Sequence, residues 1–398
     1  MLVIAAPGQG AQAPGFLAPW LELPGFAERL GAWSQITGCD LARFGTTASA
    51  DEIRDTAVAQ PLLLAASLAA AEVLSGGLGQ ASKLAGAAAG HSVGELAAGV
   101  VAGTLSAEDA LLLVKVRGQA MARAAAAEPT GMTAVLGGDE ATVLAAIEKH
   151  QLTPANMNGA GQIVAAGTLP QLAAFAADPP AGARLRPLSV AGAFHTAHMA
   201  PAAAALREAA ASVTVADPVL ALLSNRDGSV VRSGTDWLER IVTQVSMVVR
   251  WDKCMSTMAS LGGTALIELP PAGTLTGLVR RALPGMQLVS LRTPDNLDAA
   301  RALIAEHADS HADSHAPDWR LLVAPLAGTF RACSADHAPA APGAAVSTGA
   351  ELGHVEMRGG SRTITLAFPA TIIEWLVEDG DPVSAGQPLV RLQPDGSE

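Results

Sequence analysis

Gly86-Ala-Ala-Ala-Gly-His-Ser-Val-Gly-Glu95 is an apolar run that stops at a serine set between glycines and then turns helical in character. Read as strand, tight turn and helix, its centre Gly90-His91-Ser92-Val93-Gly94 has the Gly-x-Ser-x-Gly spacing of a nucleophile elbow. Glycines on both sides let the backbone turn sharply and hold the serine hydroxyl proud of a sheet. In a chain with 40 glycines the pattern also arises by chance, so its meaning depends on its surroundings.

The chain has 398 residues, long enough for two or three domains. Half of it is apolar, yet no uninterrupted apolar stretch is expected to span a membrane. Met1-Leu-Val-Ile-Ala-Ala-Pro-Gly8 has no basic leader and reads as a buried first strand, which places the chain in the cytoplasm. Cys39, Cys254 and Cys333 are widely spaced and read as reduced bystanders, with no disulfide frame and no metal site. A net charge of -12 without a basic tract argues against nucleic acid or an anionic membrane as partner.

Working outward from the elbow, Val3 to Ala6 reads as a strand followed by the glycine turn Gly8-Gln-Gly-Ala-Gln12. Val58 to Leu74 is apolar almost all round, hence a buried helix. Ser106 with Glu108-Asp109 opens another helix that runs through Arg117. From Thr130 the rhythm changes to βαββαβ: strands at Met132–Gly137, Thr153–Met157, Gln162–Ala166 and Leu185–Val190, and helices at Asp139–His150 and Leu169–Ala177. That order is the ferredoxin-like arrangement, inserted in the larger α/β unit. A terminal helix is expected near Leu297 to His307, then a flexible linker in which His-Ala-Asp-Ser occurs twice.

Acyl transfer through serine needs a base and an oxyanion hole. His195, in Gly192-Ala-Phe-His195 at a subdomain junction, is the candidate base for Ser92, and His91 is the weaker one. An elbow offers the backbone N–H of Val93 to an oxyanion, and a second donor comes from a loop after another strand. Gln9 between glycines fits that place, although an ordinary glycine turn would read the same.

Together, Gly8-Gln-Gly-Ala-Gln12, Gly90-His-Ser-Val-Gly-Glu95, Val116-Arg-Gly118, Gly192-Ala-Phe-His195 and Gly273-Thr-Leu-Thr-Gly-Leu278 resemble the malonyl-CoA:acyl-carrier-protein transacylases of bacterial fatty acid synthesis. Thr153-Pro-Ala-Asn156 and Asn158 to Gly167 resemble the actinobacterial form. The resemblance covers residues 1 to about 306. It implies an α/β-hydrolase-like large subdomain (1–125 and 193–306) with an inserted ferredoxin-like small subdomain (126–192). It also implies Ser92 as nucleophile, His195 as base and acid, and Gln9 with Val93 as oxyanion hole. The backbone carbonyl of Gln244 would orient the histidine, while Arg117, Phe194, His91 and Asn158 would line the substrate site. Ser246-Met-Val-Val-Arg-Trp251 departs from the family here, since Met247-Val248 stand where Asn-Pro is usual. A guanidinium at Arg117 would hold the free carboxylate of malonyl in a two-pronged salt bridge, and Phe194 would crowd a methyl branch. Coenzyme A thioester is then the substrate and acyl carrier protein the acceptor. A serine thioesterase or esterase, or a transferase of a polyketide or malonate pathway with another carrier, remains open.

The tail, residues 319–398 beyond a linker at 307–318, repeats itself. Val346-x-x-Gly349-x-x-Leu352 recurs as Val383-x-x-Gly386-x-x-Leu389, and Gly328-Thr-Phe330 is echoed by Ala370-Thr-Ile372. The first half carries an Ala/Pro-rich insertion between Thr329 and Val346. The tail resembles a biotinyl domain, an all-β flattened barrel in which a hairpin lysine carries biotin. Gly359 stands at the lysine position and no lysine follows Lys253, so no biotin or lipoate is expected. Docking to a carrier protein or a carboxylase is one reading of such a domain, and a functionless relic is the other.

Overall fold

Leu2-Val-Ile-Ala-Ala6 carries no polar side chain and is buried along its whole length, as a parallel strand covered on both faces must be. In the computed structural model, which describes residues 1–190, 192–312, 320–333, 341–357 and 359–394, it lies inside a six-stranded sheet. The strand order is Gln287–Ser290, Ala265–Glu268, Leu2–Ala6, Ala87–Gly90, Ala221–Leu223 and Val230–Val231. All neighbours are parallel except the last pair. Ala6 pairs with Gly90, so the Gly8 turn and the serine elbow leave the sheet side by side at its carboxyl end. Ligands of open α/β sheets bind at that end.

Two long helices frame this edge. Thr56–Ser75 is capped by the Asp55 side chain, which accepts from the Ala57 amide, and Ala107–Ala127 is capped by Ser106. They pack closely at Gly118, where a Cβ would stand 2.9 Å from the Thr56 carbonyl oxygen. The approach sets Arg117 beside Gln60. Thr56–Ser75, expected over Val58 to Leu74 as a buried helix, is by length and composition apolar enough to cross a membrane, and most of it is buried in the core.

After the Ala107–Ala127 helix the chain builds the βαββαβ unit, with a sheet ordered Ala183–Pro187, Thr130–Gly137, Gln162–Thr168, Thr153–Gly159. These four are antiparallel neighbours, and Val249–Arg250 from the larger part adds a fifth, parallel strand. The last strand of the unit is Ala183–Pro187 where Leu185–Val190 was expected. All five of its residues pair with Thr133–Gly137, and beyond them the apolar Leu188 and Val190 turn away to line a cleft.

Continuing beyond the expected end at His307, the terminal helix runs Leu297–Ala312, so the first His-Ala-Asp-Ser copy is helical and not linker. The rest of the expected linker, 313–318, lies outside the described residues.

The chain divides into two compact units, Met1–His311 and Ala312–Glu398. Among the described residues the second unit holds eight strands in two four-stranded sheets. One is ordered Arg320–Val323, Pro388–Pro394, Ala370–Trp375, Ala345–Val346, and the other Gly360–Thr365, Glu351–Met357, Gly328–Ala332, Pro382–Val383. Moving every strand of the first sheet four places along the chain, cyclically, generates the second, so the sequence repeat is a repeat of topology. Phe330 and Val355 anchor one apolar cluster, Ile372 and Leu392 another. Gly359 sits exposed in the hairpin that joins the two halves. The Ala/Pro-rich insertion falls largely on 334–340, outside the described residues.

Candidate active site

At the elbow, glycine is required by close approach and not by habit. A Cβ on Gly90 would lie 2.0 Å from the Gly94 carbonyl carbon, and one on Gly94 would lie 2.2 Å from the Ala6 carbonyl oxygen. Ser92 itself sits at φ 54°, the left-handed region that a side chain adopts only at a cost. His195 shares that conformation at φ 61°. Two strained residues far apart in sequence thus face each other.

Ser92 Oγ is 2.7 Å from His195 Nε2, and His195 Nδ1–H donates to the Gln244 carbonyl oxygen at 2.8 Å. That second bond fixes the tautomer, leaving Nε2 as the acceptor for the serine proton. Burial, reinforced by the nearby Arg117 charge, pushes the His195 imidazole down to about 3, so it is unprotonated near neutral pH and its Nε2 can accept a proton.

Arg117 is 1% exposed. It donates to Gln60 Oε1 at 2.7 Å, to Gln244 Oε1 at 2.8 Å and to Ser92 Oγ at 3.2 Å, while its Nε is without a partner among the described residues. Two neutral amides hold the guanidinium, and no carboxylate among the described residues pairs with it. Burial pushes its pKa down to about 10, still well above neutral pH, so the cation persists beside the serine.

Ser92, His195, Gln9, Phe194 and His91 line one cleft together with Gln60, Met121, Met132, Asn156, Val164, Leu188 and Val190. The Gln9 side chain is drawn aside to the Arg54 carbonyl and the Thr56 hydroxyl. Neither the backbone N–H of Gln9 nor that of Val93 donates a hydrogen bond among the described residues. His91 Nε2 is 2.9 Å from Asn158 Oδ1, and burial lowers its pKa, so it is a neutral hydrogen-bonding group. Asn158 therefore meets the site through His91.

Sequence reasoning passed over Gln60, Asn156, Asn225 and Glu95 as site residues. Gln60 had a signal, being a long polar side chain early in a run that reads as apolar almost all round. Asn225 had none: it follows a three-residue strand, yet its side chain accepts from the Ser92 amide at 2.7 Å and donates to the Gly90 carbonyl at 2.7 Å. The arrangement is a serine with a neutral base, unengaged backbone amides and a buried cation, which suits acyl transfer of an acid-bearing group.

Residues 6–311 match the model of the acyl transferase domain family. Over 301 residues the chain is 52% identical to the malonyl CoA-acyl carrier protein transacylase of Mycobacterium tuberculosis, covering 75% of this chain and 98% of that protein. It is 34% identical to the Escherichia coli K12 protein of the same name, covering 75% and 97%. The crystal structure of MCAT from Mycobacterium tuberculosis superposes with a TM-score of 0.72 at 51% identity, covering 76% and 99%. A malonyl-transacylase solved in complex with a type II PKS acyl-carrier protein gives 0.70 at 28% identity, again covering 76% and 99%. The family match stops at 311, so the repeated β unit lies beyond it. The chain belongs to the acyl transferase domain family, within its malonyl-CoA–acyl carrier protein transacylases.

Proposed function

We propose that the chain transfers malonyl from malonyl-CoA to the phosphopantetheine thiol of acyl carrier protein, for fatty acid biosynthesis, through a malonyl ester of Ser92. His195 Nε2 takes the Ser92 Oγ proton as the oxygen attacks the thioester carbonyl. The Gln9 and Val93 amides receive the developing oxyanion, whose stabilisation is typically the largest single effect in such reactions. Collapse breaks the C–S bond, and His195 returns the proton to the coenzyme A sulfur. The carrier thiol then repeats the sequence in reverse, regenerating Ser92. No cofactor takes part.

The observation that carries this reading is the Arg117 guanidinium 3.2 Å from the hydroxyl that His195 engages at 2.7 Å. An esterase for neutral acyl groups has no use for a buried cation at that spot; a malonyl carboxylate does. Phe194 beside the base favours malonyl over methylmalonyl. Mixing the enzyme with malonyl-CoA, with and without holo acyl carrier protein, tests the reading. Malonyl-carrier should form many-fold faster than free malonate; equal rates would make the protein a thioesterase. A carrier of polyketide assembly is the second reading, supported by the likeness to the transacylase solved with such a carrier. Running both carriers in parallel separates the two.

For the tail, the paired sheets and the strand repeat support a biotinyl-like unit, and Gly359 in its hairpin leaves it without an attachment lysine. Its proposed role is docking, and the proposed location of the whole chain is the cytoplasm.

A further inference from the structure

Glu95 follows the elbow, is 1% exposed, and takes no part in the steps above. Its two oxygens are both occupied: Oε1 accepts from the Asn225 amide at 3.0 Å, and Oε2 accepts from Gln244 Nε2. Gln244 also donates to the Ser92 carbonyl at 3.1 Å and accepts from Arg117 at 2.8 Å. A carboxylate only accepts and a guanidinium only donates, so the amide between them has one permitted orientation. Asn225, held by Glu95, in turn receives the Ser92 amide at 2.7 Å.

We propose that Glu95 is a positioning residue for malonyl transfer: through the Gln244 side-chain amide it orients Arg117, and through Asn225 it fixes the Ser92 backbone. The relay also keeps the compensating negative charge one amide away from the guanidinium. A direct Glu95–Arg117 ion pair would occupy the donors that a substrate carboxylate needs. Rotation of the Gln244 amide would turn its NH2 onto Arg117, leaving two donors face to face and displacing the guanidinium.

Protonation of Glu95 would do the same, because a carboxylic acid puts a donor against one of two donors. Burial pushes this carboxyl up to about 7, opposed by Asn225, Gln244 and the Arg117 and Arg240 charges; the buried Cys254 thiol is the other titratable group beside it. His195, on the far side of Gln244, stays neutral down to about 3 and cannot account for a titration near neutrality.

The inference rests on Ser92, His195 and Arg117 acting as proposed above, so the test keeps the two apart. Malonyl and acetyl transfer are measured for wild type, Glu95→Gln and Gln244→Leu between pH 5 and 9, with thermal midpoints as a check on folding; Gln244→Leu removes the amide but keeps the backbone carbonyl. The wild-type malonyl kcat/KM should fall as pH drops through about 7. In Glu95→Gln it should be lower by about 10²-fold, the scale of a 1 Å misplacement, with that titration gone and the malonyl-to-acetyl preference reduced. Gln244→Leu should reduce the preference likewise, which keeps the idea testable if Glu95→Gln does not fold. Variants with wild-type preference and pH profile would overturn the relay. Malonyl transfer by the wild type, lost in Ser92→Ala, holds the acyl-transfer reading independently.

Discussion

Arg117 and His195 answer to the same fact, a cation buried where water cannot screen it. Its field helps hold the imidazole neutral, and the function proposed above gives it the malonyl carboxylate to bind. Arg117→Ala should therefore cut malonyl transfer by about 10²-fold more than acetyl transfer, the size of two charge-assisted hydrogen bonds at roughly 1.5 kcal/mol each. Steady-state rates with the two thioesters check this, and equal losses would remove the carboxylate role. For His195 the sign is clear: its pKa is depressed from 6.5 to about 3, so the free enzyme keeps its base unprotonated as pH falls through the range where a solvated histidine charges. Acetyl transfer by Glu95→Gln, which lacks the carboxyl titration near 7, should show no loss of kcat/KM near pH 6.5. Ser92, His195 and Gln9 could be proposed from the sequence because glycine or small neighbours marked them, and Arg117 because Val116-Arg-Gly118 resembles the family's motif. Glu95 and Asn225 were not, because their work lies in hydrogen bonds to backbone that no residue spacing reveals.

Among the elements, the elbow is the tightest construction. Gly94→Ala sets a methyl 2.2 Å from the backbone oxygen of Ala6, which cannot move without parting two paired strands. A loss of about 3 kcal/mol is expected, at the upper end for overpacking, read from the midpoint of urea unfolding. A Gly79→Ala control meets nothing within 4 Å and should leave the midpoint near wild type. Helices and strands with strong periodicity or caps were readable, including Leu169–Ala177 to the residue. Ends were misjudged where apolar residues served something other than their own element. Leu188 and Val190 were read as strand but line the cleft, and His-Ala-Asp-Ser was read as linker but extends a helix.

At the scale of the whole molecule, two units each carry their own apolar clusters: those of the transferase lie within residues 1–304 and those of the tail within 322–392. A chain ended after Ala312 should therefore keep the kcat/KM of full-length protein for malonyl transfer; a large loss would give the tail a part in catalysis. The two-halved tail was legible because Val346 and Val383, like Phe330 and Ile372, fall on corresponding strands of the repeat. Its partner was not legible, since an exposed hairpin with Gly359 at its turn carries no reactive group to name one. Everything proposed for the transferase depends on one covalent bond. Intact mass spectrometry after brief mixing with malonyl-CoA should show a single malonyl adduct on the wild-type chain, mapped by digestion to the Ser92 hydroxyl, discharged by holo acyl carrier protein and absent from Ser92→Ala. An adduct that persists in Ser92→Ala would contradict the account.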